Sequence, residues 1–467
     1  MNARLRLGTA ASISVLFAIT GIAACGGSDD DSPAAAASPG TTSQATSAPA
    51  PTADEAGWQD EVAATCDALI AALESVPAPE PTPEGLTTQI AAIQAAVADL
   101  PRFDEVTVPA DVQDDWDHIL TVVADAGASL EAAAAESAAG DPLAAEAALG
   151  RAGDGVNRTY GLIALAGAEC GDATPERAAT AALNIPTEGD VAQIASGFGS
   201  IWGSAELGGR VIRVDPESGE IIATIDVGAG PLKLQPADDR MWVRTRDEFV
   251  AIDPETNTVV ARLAKADVGP AVNRNWAVDG AMWICDGQRL HRYDPTTLQP
   301  VTTIELGIEC GQPYATDELV VAWNHNDDDG ESGLSEAVLV DPATNTAGQK
   351  ITLPVDVLAP VVLDDAVFFP GNRGDGTAVV VDRATATVTA TPDLGPPTSG
   401  SLSVSDGERI FVPTLDEKGI LVVDASTFEV IDTVNALGAN SVALLDGSLW
   451  TASRRFGLLQ RHDDVAG

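Results

Sequence analysis

A single phrase recurs through the second half of this 467-residue chain: polar and branched residues lead into an aspartate, usually followed by proline, and a short turn then opens a strand rich in Val, Ile and Thr. Its anchors are Asp215-Pro216, Asp253-Pro254, Asp294-Pro295, Asp341-Pro342, Asp382-Arg383 and Asp424-Ala425, spaced 38, 41, 47, 41 and 42 residues apart. That period is the one expected when each repeat is a four-stranded propeller blade. A second marker runs in phase with it. Turn pairs such as Asp238-Asp239, Asp279-Gly280, Asp364-Asp365, Asp406-Gly407 and Asp446-Gly447 are followed within a few residues by a large apolar side chain. The slot holds Trp202, Trp242, Trp283, Val321, Phe368, Phe411 and Trp450, which predicts seven blades. Stacked sheets need one bulky wedge per blade, so these residues read as inter-blade core and not as a cofactor box.

The phrase resembles the YVTN-type β-propeller repeat, in which a strand leads to Asp-x-x-Thr-x-x-Val and then to an Ile-x-Val-Gly strand with a proline soon after. Asp253, Thr256 and Val259 carry the first part, and Ile225-Asp226-Val227-Gly228 with Pro231 the second. The resemblance covers residues 180 to 467 and weakens in blades 4, 5 and 6. It implies the propeller fold, and for function a binding platform, a scaffold or, in a few members, an enzyme. Residues Ala182 to Ile185 read like the strand that follows each Asp-Pro, and Leu458 to Asp463 like the strand that precedes it. Pairing the two would close the ring and remove its open edge.

Charge and compartment narrow the function. Asp and Glu number 70 against 25 Lys and Arg, for a formal charge of −45. That balance argues against nucleic acid, whose phosphates nothing here could neutralise, and against docking on an anionic membrane through a basic face. It fits a soluble, self-repelling monomer held outside the cell. Arg4 and Arg6 precede an apolar run from Leu7 to Ile22, and Ile22-Ala23-Ala24-Cys25-Gly26 resembles a bacterial lipoprotein signal. Residues 1–24 are therefore expected to be removed and Cys25 lipidated, which anchors the protein on the extracytoplasmic side of the cell membrane. Residues 25–56, rich in Ala, Ser, Thr and Pro, form a disordered tether.

Residues 57–182 change to alanine-rich helix, with Leu, Val and Ile at three- and four-residue spacing and helices near 57–76, 84–100, 110–139 and 141–168. Asp141-Pro142 reads as a helix start, with the aspartate as cap and the proline in the first turn. With Cys25 acylated, four cysteines remain, and of the three possible connectivities the one that stays within domains pairs Cys66 with Cys170 and Cys285 with Cys310. The expected fold is thus a small disulfide-stapled helical bundle followed by an all-β seven-bladed propeller at 183–467.

Catalytic chemistry is harder to place. Resemblance to the virginiamycin-inactivating lyases or to lactonases would imply histidines or carboxylates around a channel metal. His291 and His462 instead fall in third strands, and only His325 lies in a suitable loop. A propeller hydrolase or lyase stands as the alternative function, and no cofactor is expected. His118 reads as part of a solvated helix face. The loop from Asn324 to Ser332 sets Asp327, Asp329 and Glu336 at calcium-loop positions, but His325 occupies the place of the first aspartate, so an acidic hairpin is favoured over Ca²⁺. The remaining candidate is a basic mouth. Lys233, Arg244, Arg246, Arg274, Arg373, Lys418, Arg454 and Arg455 are eight of the 19 Lys and Arg after residue 182, and all are assigned to loops on one face. With Asn273, Asn275, Tyr314, Trp323 and His325 nearby, they point to an anionic envelope ligand or an acidic partner protein.

Overall fold

The computed structural model describes residues 53–80, 82–187, 191–206, 208–228, 230–268, 276–278, 280–324, 335–371, 376–396, 398, 402–414, 419–463 and 465. Cys25, Asn273, Arg274, Asn275, His325, Asp327, Asp329, Arg373 and Lys418 lie outside the described residues. The chain divides into two compact units, Met1–Asp172 and Ala173–Gly467.

The first unit holds four long helices, α1 (Ala53–Glu74), α2 (Pro83–Val97), α3 (Gln113–Ala139) and α4 (Pro142–Leu165). Their ends follow capping chemistry. Thr82 accepts a hydrogen bond from the Gly85 amide (3.0 Å) ahead of Pro83, and Asp141 accepts one from the Ala144 amide (3.1 Å) ahead of Pro142. Each pair combines a polar cap with a proline whose missing N–H would have been an orphan anyway. Gly140, at φ 81°, terminates α3 in the left-handed conformation that glycine adopts without strain. Leu73, Ile90, Ile93 and Leu149 form the core with Ala133, Ala145 and Ala148, while Trp58 and Phe103 meet Trp116 edge-on at 6.2 and 6.3 Å. The Cys66–Cys170 disulfide ties α1 to the segment after α4 across 104 residues.

The second unit is a ring of seven four-stranded antiparallel sheets. Blades 1 to 6 span 191–226, 233–264, 276–305, 312–353, 361–390 and 404–434, and each runs in chain order from its inner strand outward. Blade 7 takes three strands from 441–462 and its outer strand from Leu183–Pro186. That strand pairs antiparallel with Leu458–His462 in the register Leu183↔Arg461 to Pro186↔Leu458, so the two ends of the propeller close the ring. The seven wedge positions, Trp202, Trp242, Trp283, Val321, Phe368, Phe411 and Trp450, all lie on second strands and are all 0% exposed. Residues 173–182 belong to the propeller unit. Arg177 donates to the Ala436 carbonyl (2.8 Å) and Thr180 to that of Asn435 (2.7 Å).

The repeated aspartates are turn anchors. In Asp215, Asp253, Asp294, Asp341 and Asp424 one carboxylate oxygen accepts the backbone N–H groups two and three residues ahead, and in Asp382 it accepts that of Thr385. Such Asx bonds hold the turn and stabilise the ionised form. Hydrogen bonds from the hydroxyl of Ser426 and from the Thr427 amide lower the Asp424 carboxyl to about 2. The residue four places after each aspartate then sits in the left-handed region: Gly219, Asn257, Leu298, Asn345, Ala386 and Phe428, with φ between 52° and 75°.

Candidate functional site

In each blade the loop entering the inner strand and the hairpin between the second and third strands share one end of the sheet. Blade 2 concentrates cations there. Lys233 opens the inner strand Lys233–Ala237 and faces Arg244, the last residue of Arg240–Arg244, as its cross-strand neighbour. The hairpin is pinned by Thr245: its amide donates to the Glu248 carbonyl at 2.9 Å, and its hydroxyl accepts the Glu248 amide at 3.0 Å. Arg246 is thereby held exposed at the tip. Lys265, in the short helix Lys265–Val268 that follows the outer strand, reaches back to donate to the carbonyls of Thr245 (2.8 Å) and Arg246 (2.5 Å), with its ammonium 5.9 Å from the centre of the Phe249 ring.

The electrostatics of this corner follow from crowding. Burial, and then the neighbouring Arg244, bring Lys233 down to about 7. Lys265 falls to about 8 by burial and the same guanidinium, partly opposed by Asp247. Both shifts mean that a positive charge at this corner is costly in the free protein. Arg246 also lines a cavity of about 360 Å³ together with Gly208, Gly209, Gly228 and Gly230 and the carboxylates Glu206 and Asp226. Gly230 beside Arg246 sits at φ 66°, in the left-handed region that side chains rarely adopt. Gly228, at φ 92°, shares that conformation, which glycine adopts without strain.

The other candidates separate into distinct places. Arg454 and Arg455 occupy the equivalent hairpin of blade 7. Arg454 pairs with Glu206 at 3.0 Å and Arg455 lies over the Phe456 ring at 4.9 Å, so both charges face local partners. Blade 1 stands between them and the blade 2 cluster, bonded to blade 7 through Asn440 and Ala192 and to blade 2 through Gln193 and Leu234. Tyr314 and Trp323 belong to blade 4. Trp323, expected to offer a flat face to a ligand, is 1% exposed and packs against Val321, Ala337 and Ile351, because it ends a second strand whose side chains form inter-blade core. Tyr314 packs half-buried on the same cluster. The described members of the expected set thus lie at the hairpin ends of blades 2 and 7, and Glu206 of blade 1 connects them, since it pairs with Arg454 and lines the cavity beside Arg246.

Of the weak calcium set only Glu336 is described, and its carboxylate pairs with Lys350 at 2.7 Å. The third-strand histidines are in place: His291 contacts Thr303 at 2.9 Å and Asp286 at 3.4 Å, and His462 is 2% exposed. His118 is exposed on α3. Both expected disulfides are present, and Cys285–Cys310 ties the hairpin end of blade 3 to the loop leaving its outer strand. Sequence reasoning missed Lys265, which reads as linker until the short helix folds it back under Arg246. A second omission is a cavity inside the helical bundle, whose lining is spread over all four helices.

No protein-family model matches the chain, and no curated protein matches it. Solved structures similar to it are hydrazine synthase of Kuenenia stuttgartiensis (12% identity, 61% of this chain and 98% of that one, TM-score 0.48) and BamB from Moraxella catarrhalis (16%, 60% and 98%, TM-score 0.44). The Pan2 WD40 domain of Neurospora crassa is similar over 58% of this chain and 88% of that one, at 11% identity and TM-score 0.47.

Proposed function

We propose that the chain is a lipid-anchored envelope protein whose propeller is a recognition platform for an anionic group, a carboxylate or phosphate on an envelope polymer or partner protein, bound at the hairpin end of blade 2. The observation that carries this reading is the convergence of Lys233, Arg244, Arg246 and Lys265 beside a glycine-walled cavity, in a protein whose formal charge is −45. An anion seated there would offset the repulsion among those cations, and the exposed Arg246 fork can hold both oxygens of a carboxylate or phosphate. The Cys25 lipobox resemblance supports the envelope placement, and Cys25→Ser should release the protein from the membrane fraction. Binding is tested on the full chain by calorimetric titration with an oligoglutamate peptide and with short polyphosphate. Arg246→Glu should weaken the favoured ligand about tenfold or more, as loss of a charge-assisted bond requires. Affinity in the parent chain should fall with added salt and as pH rises through 7 to 8, where the two lysines lose their protons. Unchanged affinity on charge reversal, or indifference to salt, would remove the proposal.

A further inference from the structure

We infer that the helical bundle holds a second binding site, for a single-chain lipid-like molecule bearing one neutral hydrogen-bonding group, in the class of long-chain alcohols and monoacylglycerols. The bundle carries a cavity of about 440 Å³, open to solvent at the exposed Arg102 and Asp104 and lined by Leu73, Ile93, Val97, Phe103, Leu120 and Val156 among others. That volume falls within the roughly 300–1,000 Å³ typical of small-molecule sites. Alanine and glycine create it. Helices α3 and α4 approach so closely at Gly155 that a Cβ there would lie 2.7 Å from that of Ala126, yet nearby Gly127 and Gly153 face open space, with nothing within 4 Å of an added Cβ. Both glycines line the cavity.

A single side chain gives the site its polarity. Gln89 of α2 lines the cavity at 6% exposure, and its amide forms no hydrogen bond among the described residues. Its amide N and O are not fully buried, so they open onto the cavity, where a ligand hydroxyl or ester carbonyl would find a partner in a largely apolar lining. Thr159, the other buried polar residue of the lining, already donates to the Gly155 carbonyl at 2.9 Å. The cation of the described lining, Arg102, is tied to Asp104 by two bonds of 2.8 Å, which disfavours a carboxylate head. The bundle cavity shares no residue with the propeller site.

The test uses the full chain carrying Cys25→Ser, so that no acyl group of its own competes, and follows displacement of the neutral dye Nile red. 1-Hexadecanol should displace the dye about tenfold more tightly than hexadecane or palmitate, the preference expected of one hydrogen bond. A Cβ added at Gly153 meets nothing within 4 Å and the residue lines the cavity, so Gly153→Leu should abolish dye and alcohol binding while the better helix former keeps the bundle melting at the same or a higher temperature. Gln89→Leu should leave dye binding intact and erase the preference for alcohol over alkane. Absence of dye binding in the parent, binding undiminished in Gly153→Leu, or palmitate binding as well as the alcohol would each overturn the inference.

Discussion

His462 shows how one buried side chain sets the response of this fold to acid. It sits on the third strand of blade 7, opposite Leu449, at 2% exposure, and burial lowers its imidazole to about 4. Because the folded value lies below the ordinary 6.5, the unfolded chain binds the extra proton first as pH falls. The stability the neutral ring contributes is therefore complete above about pH 6.5 and drains away between 6.5 and 4. The size of that loss is on the order of 3 kcal/mol for a shift of this extent. His462→Gln should flatten the fall in propeller melting temperature over this window. A variant with the parent's acid profile would show that another group controls it. His462 is readable in the sequence as a third-strand residue, but its burial is not, since its neighbours include Thr180, far earlier in the chain, whose backbone lies beside it.

At the scale of the element, the Asp-anchored turn explains both what repeats and what drifts. Each turn needs a left-handed residue four places after the aspartate, and Asn, Gly, Ala, Leu and Phe all fill that place. Asn257 and Asn345 add a second function, because their side-chain oxygens accept from Arg213 (3.0 Å) and Arg292 (2.7 Å) of the preceding blade. Those arginines lie over Trp202 and Trp283 at 4.8 and 5.1 Å, so one side chain covers the wedge of its own blade and clips the turn of the next. Ala386 has neither the freedom of glycine nor a side chain to bond. Ala386→Gly should stabilise the propeller by about 1 kcal/mol through relief of its positive φ, measured by denaturant unfolding. A loss of stability would mean that the extra freedom of the unfolded chain outweighs that relief. The aspartates could be read directly from spacing; the left-handed position could not, because only two of its six occupants are asparagine.

For the whole molecule, the two units should unfold as separate transitions, each with its own core and its own disulfide. Cys66 and Cys170 close a loop of 104 residues in an alanine-rich bundle with few large core side chains. Replacing both by alanine should lower bundle stability by roughly 2–5 kcal/mol, the range for a native disulfide that restrains so long a segment of unfolded chain. In calorimetry the bundle transition should move and the propeller transition should stay. Equal displacement of both would show that the units unfold as one.

What the sequence determined by itself is the part of the fold that repeats or is local: the blade period, the wedge positions, the capped starts of helices such as Asp141-Pro142, and the strand left over at each end that closes the ring. Those signals survive because they depend on residues a few places apart, or on a spacing enforced blade after blade. The tertiary structure alone decided which charged and aromatic residues share a place. It put Lys265 beneath Arg246, gave Arg454 to Glu206, buried Trp323, and left Gln89 facing an unfilled space between four helices. Each of these depends on the distance between segments remote in the chain, and side-chain electrostatics and packing change over a few ångströms while the pattern of residues stays the same.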